Sequence, residues 1–455
     1  MKPETNKKLF GTDGIRAKAG EFPLDPATVR VIGASLAEHL EEQTGRRPRI
    51  VIGRDTRESG SSIEDALSAG ARSASAEVES AGVITTPGVA FLARSLPADA
   101  GVVISASHNP YYDNGIKIFA PSGRKLDDAT ERRIEADIAE GRFSDIHEQN
   151  TGTLSDRSLR EKYLGYLWQK VAGELALRDL KIVIDCANGA ASELAPRLFN
   201  ELGARVIAIN DQPDGRNINL GCGSLHIEGL QQRVLADRAD LGVAFDGDAD
   251  RALFVDEAGN FVDGDATMWV LANYMQSRGE LDQDLVVSTV MTNLGLEVAL
   301  RTRGMRLIRT DVGDKYVLEE LLRSAAVLGG EQSGHIIFPR ISLAGDGMIT
   351  AINLVRVMRE KDESLGRLVQ GFSRFPQVLV NIHVREKVRF EALPKVQEKA
   401  HQIEQEMGDR GRLLLRYSGT EPLARVMIEG EDEQQVRNSA ESLAAVIKAE
   451  IGSDG

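Results

Sequence analysis

Short apolar runs alternate with longer amphipathic stretches through most of the chain. The runs at 49–53 and 100–107 predict buried strands, and the stretch 61–82 between them predicts a helix. The same rhythm of strand, helix and strand recurs near 180–245 and 285–335. Because parallel strands are joined by crossover helices, this rhythm predicts parallel sheets that are covered by helices.

The pattern changes in the last part of the chain. Strand-like runs at 375–384, 412–418 and 424–430 are separated by helical stretches at 393–407 and 432–451. That order predicts an α+β unit, in which two helices lie on one face of an antiparallel sheet. The changes of pattern divide the chain into four predicted domains, which are 1–153, 154–255, 256–370 and 371–455.

Composition and charge narrow the class of protein. The 455 residues carry a net charge of −14, so nucleic acid is not expected as a partner, since no surplus of cations exists to replace phosphate counterions. Two cysteines, Cys186 and Cys222, predict no disulfide framework. The chain has neither an apolar signal segment nor a run of about 18 apolar residues, so no membrane association and a cytoplasmic location are expected.

Polar segments follow several predicted strands, at the carboxyl ends where α/β sheets bind ligands. In DGDADR, Asp246, Asp248 and Asp250 follow the apolar run LGVAF. Neighbouring carboxylates repel one another unless a cation binds them, and oxygen ligands suit Mg²⁺ or Ca²⁺. The loop is not an EF-hand, because Arg251 stands where that loop needs glycine. An aspartyl-phosphate phosphatase and a solvated acidic turn remain alternatives.

Other polar segments carry groups that suit a phosphorylated sugar. In RYSGTEPLAR, small residues allow N–H groups and hydroxyls to converge on an anion between two arginines. GGEQSGHII offers a Glu and a Ser for vicinal hydroxyls, and a His for acid–base chemistry or for a structural role. GTDGIR supplies an arginine. RTDVGDKYV supplies the start of a predicted helix, where an anion or a hydroxyl could bind to free N–H groups. The residues concerned are Arg16, Gly313, Asp314, Glu331, Ser333, His335, Arg416, Ser418, Gly419, Thr420 and Arg425.

The segment ISASHNPYYDNGIK places Ser107 directly before His108 at the end of a predicted strand. No G-x-S-x-G elbow surrounds the serine, which weakens a hydrolase interpretation of the pair. Asn114–Gly115 is a hairpin-turn signal, and such a turn would return Lys117 towards Ser107 as an acid/base or a phosphate counter-charge. An ordinary surface lysine is the alternative. The chain has no P-loop and no dinucleotide-binding glycine motif, so kinases and dehydrogenases of those types are not expected.

Taken in order, FGTDGIR, SASHNPYYDNGIK, DGDADR, GGEQSGHI and RYSGTEPLARVMIEG resemble the α-D-phosphohexomutases over nearly the whole chain. The resemblance implies three α/β/α domains of related topology with mixed sheets, and a C-terminal α+β domain, around a central cleft. It implies an isomerase that moves a phosphoryl group between the 6- and 1-positions of glucosamine phosphate. Broader glucose or mannose phosphate specificity is the alternative, and a metal-dependent sugar phosphatase and a non-catalytic sugar-phosphate-binding protein are remote ones.

The resemblance also implies roles for the candidate residues. Ser107 would carry the phosphoryl group and complete a site for one Mg²⁺ per chain, with Asp246, Asp248 and Asp250 as the other ligands. Hexose or glucosamine 1,6-bisphosphate would be the activator and a sugar phosphate the small-molecule partner; a monomer or homodimer is expected. Arg16, Lys117 and Arg251 would lie at the transferring phosphate, which His108 would orient or neutralise. The sugar hydroxyls would be held by Glu331 and Ser333, and the other phosphate by Arg416, Ser418, Gly419, Thr420 and Arg425.

Overall fold

The computed structural model divides the chain into two compact units. The residues that it describes are 8–11, 13–143, 154–418 and 422–453. The first unit takes in Met1–Val290 and Leu307–Val369, and the second takes in Met291–Arg306 and Gln370–Gly455. The candidate groups around Ser107 all belong to the first unit.

The first part of the chain forms a mixed sheet with four helices. Its elements are β1 (Phe10–Gly11), β2 (Gly14–Lys18), α1 (Pro26–Thr44), β3 (Arg49–Arg54), α2 (Gly60–Ser73), β4 (Glu77–Val83), α3 (Thr86–Ser95), β5 (Ala100–Ile104), β6 (Asp113–Phe119) and α4 (Asp128–Glu140). The strand order is β1-β2-β6-β5-β3-β4. β3 pairs in parallel with β4 and β5, whereas β6 pairs antiparallel with β2 and β5. The chain reversal between β5 and β6 therefore carries Ser107.

Local capping chemistry sets the ends of these helices. Asp25 accepts a hydrogen bond of 3.0 Å from the N–H of Thr28 at the start of α1, and Asp127 does the same for Thr130 in α4. Gly45 ends α1 in the left-handed region, with φ 67°.

Two predictions for this first sheet are wrong. The predicted helix over 61–82 ends at Ser73, because Ser75 takes φ 68°, and Glu77–Val83 is instead β4, which pairs in parallel with β3. The predicted turn at Asn114–Gly115 lies inside β6. At Gly115, a Cβ would stand 2.6 Å from the carbonyl oxygen of Ser105, so the glycine serves close strand packing rather than a turn.

The second sheet is also mixed, and its elements follow a short helical lead-in. They are α5 (Arg157–Tyr166) with a π-helical turn (Leu167–Ala172), β7 (Lys181–Asp185), α6 (Ala191–Glu201), β8 (Arg205–Ile209), α7 (Glu228–Asp237), β9 (Leu241–Phe245), β10 (Ala252–Asp256) and β11 (Phe261–Val262). The strand order is β11-β10-β9-β7-β8. The predicted hairpin turn at Glu257–Gly259 is confirmed, and the sheet reaches Val262, past the predicted boundary at 255.

A third sheet of four strands completes the α/β part. Its elements are α8 (Gly264–Ser277), β12 (Leu285–Thr289), α9 (Leu294–Thr302), β13 (Arg306–Thr310), α10 (Asp314–Ser324), β14 (Gly329–Gly330), β15 (Ile336–Ile337), α11 (Gly347–Lys361) and α12 (Leu365–Leu368). The strand order is β13-β12-β14-β15. Although α9 lies between two strands of this sheet in the sequence, it belongs to the second unit.

The second unit has its own antiparallel sheet and its own core. Its further elements are β16 (Gln377–His383), α13 (Pro394–Met407), β17 (Gly411–Tyr417), β18 (Leu423–Gly430) and α14 (Glu433–Ile451). The strand order β16-β18-β17 is antiparallel throughout, and side chains of both helices and all three strands share one buried cluster. The predicted fold class, α/β units with mixed sheets followed by an α+β unit, is confirmed.

Short 3-10 turns connect some of these elements, at Gly223–Leu225, Asp282–Asp284, Phe390–Ala392 and Gly408–Arg410. Across the described part of the chain, every helix is too short or too polar to cross a bilayer.

Candidate active site

Ser107 lies in a buried, strained loop that follows β5. Its φ of 51° is unusual for a residue with a side chain, and such strain often marks a functional site. Its N–H donates to Ser105 Oγ at 2.9 Å, and Ser105 Oγ donates in turn to Asp55 at 2.6 Å. The hydroxyl of Ser107 donates to Asp246 Oδ2 at 2.6 Å. The loop therefore directs the serine oxygen at the first aspartate of the DGDADR segment.

A buried arginine is hydrogen-bonded to the backbone of this loop. Arg57 is fully buried and pairs with Asp55 at 2.8 Å. Its Nη2 donates to the carbonyl oxygens of Ser107, at 2.9 Å, and Asn109, at 2.8 Å. Asn219, from the second sheet's part of the chain, donates to the same Ser107 carbonyl at 2.9 Å. These bonds fix the backbone of the serine, so its side chain is held in place before any ligand arrives.

The three aspartates of DGDADR form a compact, buried cluster after β9. One carboxylate oxygen from each aspartate lies within 4.8 Å of those from the other two. Burial, and then repulsion from Asp250 and Asp248, raises the pKa of Asp246 well above its ordinary value. Asp248 Oδ1 and Asp250 Oδ1 are buried and accept no hydrogen bond from the described residues. Oxygen atoms that are clustered, buried and unsatisfied in this way fit a hard divalent cation.

Lys117 contacts two aspartates of this cluster. Its Nζ is 2.9 Å from Asp248 Oδ2, 3.1 Å from Asp13 Oδ2 and 3.6 Å from Asp250 Oδ2. Burial opposes the charge, but Asp13, Asp248 and Asp250 together raise the pKa of Lys117 above its ordinary value. Thr86, at the start of α3, also donates to Asp248 Oδ2, at 2.6 Å. Lys117 is therefore a protonated lysine held among carboxylates, not a surface lysine.

His108 contacts Ser107 but carries no charge at neutral pH. Its Nδ1 lies 3.3 Å from Ser107 Oγ. Burial, and then the positive charges of Arg251 and Arg16, lowers its pKa to about 4. A neutral imidazole can orient an anion through a hydrogen bond but cannot neutralise it.

The two arginines at this site are tied to carboxylates. Arg16 forms an ion pair with Asp13. The backbone N–H of Arg251 donates to Asp246 Oδ1 at 3.2 Å, and its Nε lies 3.7 Å from Asp250 Oδ1. Arg251 therefore stands beside the aspartate cluster and Arg16 beside Asp13, and the positive charges of both act on His108.

The predicted sugar-recognition loop joins β14 to β15. Ser333 Oγ donates to Glu331 Oε2 at 3.1 Å. The ring of His335 lies between two carboxylates, with Nδ1 3.6 Å from Asp250 Oδ2 and Nε2 3.8 Å from Asp314 Oδ2. Burial opposes its charge, but Asp250 and then Asp314 raise its pKa to about 9. The loop thus presents one acidic, one hydroxyl and one basic group.

Gly313 and Asp314 begin α10 beside this loop. Gly313 takes φ 134°, which favours glycine, and Asp314 is the first residue of the helix. The carboxylate of Asp314 is bound by Lys125 Nζ at 2.7 Å. A cavity of about 510 Å³ adjoins these groups, and its lining includes Lys117 and His335.

The predicted distal phosphate loop belongs to the second unit. Arg416 and Arg425 face each other across β17 and β18, and Arg425 Nη2 lies 3.4 Å from Ser418 Oγ. Burial and the charge of Arg425 lower the pKa of Arg416. Gly419 and Thr420 lie outside the described residues. Two arginines directly opposite each other repel, so this strand pair suits an anion.

Three groups at the site carry little signal in the sequence. Asp13 belongs to the segment GTDGIR, and only its position three residues before Arg16 indicates a role at the site. Thr86 and Lys125 occur in segments without a recognisable motif, and they reach the site because α3 and the end of β6 bring them there.

Family models of phosphoglucomutase/phosphomannomutase match four consecutive parts of the chain. The models of α/β/α domains I, II and III match residues 7–145, 161–259 and 263–375. The model of the C-terminal domain matches residues 379–446. Together these matches cover most of the chain.

Relatives and solved structures agree with these matches. The phosphoglucosamine mutase of Solibacter usitatus is 49% identical, covering 98% of this chain and 99% of its own. That of Desulfovibrio desulfuricans is 46% identical, with the same coverage. A phosphoglucomutase/phosphomannomutase family protein from Burkholderia thailandensis has a TM-score of 0.79 at 24% identity, over 98% of both chains. An Aspergillus fumigatus N-acetylphosphoglucosamine mutase, in complex with GlcNAc-6P and magnesium, has a TM-score of 0.63 at 18% identity, over 99% of this chain and 97% of its own.

Proposed function

The chain belongs to the phosphoglucomutase/phosphomannomutase family, and from that premise we propose that it is a phosphoglucosamine mutase. It interconverts glucosamine 6-phosphate and glucosamine 1-phosphate, as an isomerase that shifts a phosphoryl group within one molecule. The names of the relatives that are 46–49% identical over nearly the whole chain support this substrate.

The observation that carries the proposal is the contact between Ser107 and the aspartate cluster. A buried serine hydroxyl 2.6 Å from Asp246, in a loop fixed by Arg57, is suited to carry a phosphoryl group. The basic groups next to it, Arg16 and Arg251, suit the negative charge that such a group brings. His108 orients the phosphate through its ring nitrogen rather than through charge.

Asp246, Asp248 and Asp250, with Ser107, would hold one Mg²⁺. The fit rests on the three clustered carboxylates, two oxygens of which have no hydrogen-bond partner among the described residues. When bound, the ion supplies charge neutralisation at the transferring phosphoryl group. The magnesium in the fungal N-acetylphosphoglucosamine mutase complex supports the choice of metal.

The reaction starts from phosphorylated Ser107. The bond from phosphorus to Ser107 Oγ breaks as a bond to the free sugar hydroxyl forms, which leaves a bound 1,6-bisphosphate. The hydroxyl loses one proton and Ser107 Oγ gains one, and we assign this exchange to Lys117. Its raised pKa keeps Nζ protonated, so Lys117 can give a proton to Ser107 Oγ as the bond to phosphorus breaks and take up the proton that the sugar hydroxyl loses. After the bisphosphate turns over, Ser107 takes the other phosphoryl group by the same step in reverse. Free glucosamine or hexose 1,6-bisphosphate acts as the activator because it phosphorylates an empty Ser107.

The remaining candidates hold the two ends of the substrate. Glu331 and Ser333 bind sugar hydroxyls, Gly313 and Asp314 offer a helix start and a carboxylate beside them, and His335 is a second acid–base group. The non-reacting phosphate is bound by Arg416, Ser418, Gly419, Thr420 and Arg425. The four-domain division at 153, 255 and 370, and a monomeric or homodimeric state, belong to the same proposal.

Phosphorylation of Ser107 tests the proposal. After incubation with glucose 1,6-bisphosphate and Mg²⁺, intact-mass and phosphopeptide analysis should find one phosphate, on Ser107. The variant Ser107→Ala should carry none and lose mutase turnover, whereas Ser62→Ala, on the exposed side of α2, should keep both. In the same assay, Asp248→Asn should need more Mg²⁺ for half-maximal turnover. Full activity of Ser107→Ala would refute the mechanism.

Substrate preference is measured separately. The ratio kcat/KM should be higher for glucosamine phosphate than for glucose or mannose phosphate under identical conditions. Equal ratios would point to the broader hexose specificity.

A further inference from the structure

Six charged side chains close a ring beside the aspartate cluster, here called the charge ring. Carboxylates alternate with basic side chains around it. In order, its members are Asp13, Lys117, Asp250, His335, Asp314 and Lys125. All six also line the cavity of about 510 Å³ described above, so the ring forms one wall of that space.

One half of the ring consists of groups that the proposed reaction already uses. Lys117 Nζ lies 3.1 Å from Asp13 and 3.6 Å from Asp250. His335 joins Asp250 to Asp314 at 3.6 Å and 3.8 Å. The orientation of both basic groups therefore depends on where the carboxylates of Asp13 and Asp314 stand.

Lys125 closes the ring with its two shortest links. Its Nζ lies 2.7 Å from Asp13 Oδ1 and 2.7 Å from Asp314 Oδ2. Asp13 comes from the turn before β2 and Asp314 from the start of α10, so a single ammonium group joins two distant parts of the chain. Without that cation, the two carboxylates would face each other across the gap and repel. Asp13 would then move relative to Lys117, and Asp314 relative to His335.

A neighbouring ion pair joins the segment that carries Lys125 to the same start of α10 without entering the ring. Lys315 Nζ lies 2.6 Å from Asp128 Oδ1, and the two side chains are 36% and 52% exposed. An exposed pair of this kind contributes little stability. A variant that breaks this pair therefore shows what the loss of one ion pair between the two segments does while the charge ring stays intact.

We propose that Lys125 is a positioning residue for phosphoryl transfer. It holds Asp13 and Asp314 at the places from which they orient Lys117 and His335. This inference rests on the proposed mutase function, and it assigns to Lys125 a role that acts through other residues and not through contact with the substrate.

The test compares Lys125→Met, which keeps the length of the side chain and removes its charge, with Asp128→Asn, which breaks only the exposed pair. A third and a fourth variant, Asp314→Asn and Lys125→Met/Asp314→Asn, complete a double-mutant cycle. For each protein the readouts are kcat and KM for glucosamine 6-phosphate, with kcat expressed per chain that accepts phosphate on Ser107 from glucose 1,6-bisphosphate. This normalisation removes unfolded protein from the comparison.

We expect kcat of Lys125→Met to fall about 10- to 100-fold, as for a reacting group that is displaced by roughly 1 Å, with KM little changed. Asp128→Asn should match the wild-type chain. In the double variant the losses in kcat should multiply only in part, because both substitutions break the contact between Lys125 and Asp314, whereas only Lys125→Met breaks the contact with Asp13.

Two results would overturn the role of Lys125. One is a normalised kcat of Lys125→Met equal to that of Asp128→Asn. The other is a loss of kcat in the double variant that equals the product of the two single losses, which would mean that Lys125 does not act through Asp314. Absence of mutase turnover in the wild-type chain would instead refute the proposed function, so the two failures are distinguishable.

Discussion

His335 keeps its orientation because the residue that packs on its ring is a glycine. A Cβ added at Gly345 would lie 2.3 Å from His335 Nε2 and within 2.6 Å of two ring carbons. The ring therefore occupies the space that any side chain at 345 would need, and its distances to the carboxylates of Asp250 and Asp314, 3.6 and 3.8 Å, depend on that space.

Replacing Gly345 by alanine should displace the imidazole. We expect kcat to fall about 10- to 100-fold through this displacement and the free energy of unfolding to fall by about 1–3 kcal/mol through overpacking. Steady-state kinetics and thermal melting measure the two effects. The control is Gly165→Ala in α5, where a Cβ meets nothing within 4 Å, and which should be neutral or slightly stabilising. Wild-type kcat in Gly345→Ala would show that the ring's position does not matter.

Sequence patterns find the residues of the site that carry their own chemistry. Three aspartates at alternate positions predict a cation site because of their mutual repulsion, and the structure brings them within 4.8 Å. Lys125 could not be found in this way, since a lysine in a polar loop has the same appearance whether it is exposed or buried between carboxylates. Its role depends on contacts with Asp13 and Asp314, which are distant in sequence.

At the scale of elements, the strand pair β17–β18 places two like charges side by side. Arg416 is directly opposite Arg425, and burial together with that neighbour lowers the pKa of Arg416. Like charges that face each other across strands tend to destabilise a sheet, and the proposed binding of a phosphate beside Ser418 would offset this repulsion.

Substituting Arg416 by glutamine should therefore change stability and binding in opposite directions. Without substrate, the free energy of unfolding should stay equal or rise by up to about 1 kcal/mol, since the repulsion is relieved. KM for glucosamine 6-phosphate should rise about 10- to 100-fold, because a hydrogen bond to a charged group contributes about 1.5–3 kcal/mol.

Thermal melting measures the change in stability and steady-state kinetics the change in KM, both on the same preparations. Arg437→Gln in α14, where the arginine pairs only with Glu433 among the contacts seen, should change neither. A loss of stability in Arg416→Gln, with KM unchanged, would mean that the arginine is structural and not a phosphate ligand.

Element patterns in the sequence fail where a helix passes directly into a strand. Residues 61–82 have a continuous mixture of small and polar side chains, and nothing in it signals that α2 ends at Ser73. The strand that follows is defined by its parallel pairing with β3, for example Val78 opposite Ile50. In contrast, the sequence predicts the elements of the C-terminal part correctly, because short apolar runs indicate the strands and longer amphipathic stretches indicate the two helices.

At the scale of the whole molecule, the second unit is formed by two stretches that are separate in the sequence, Met291–Arg306 and Gln370–Gly455. Asn293 caps α9 and is fully buried. Its side chain accepts from the N–H of Phe375 at 2.9 Å and donates to the carbonyl oxygen of the same residue at 3.0 Å. Gly295 packs so closely that a Cβ would lie 1.9 Å from the carbonyl oxygen of Ser373. No sequence period could reveal this, since α9 occurs within an ordinary strand–helix–strand pattern.

The stability of the second unit should therefore depend on Asn293, although this residue lies far from the rest of that unit in the sequence. Asn293→Ala removes a helix cap worth about 1 kcal/mol and two hydrogen bonds to the partly buried backbone of Phe375, which contribute about 0.5–1.5 kcal/mol each. We expect the free energy of unfolding of this unit to fall by about 2–4 kcal/mol. Hydrogen exchange measures the effect where it should appear, as faster exchange of the amides of β16 and β18. Asn200→Ala, on the exposed side of α6, is the control and should leave those amides unchanged. If exchange in β16 and β18 were the same in both variants, α9 would be a passive neighbour of the C-terminal sheet and not part of its folded unit.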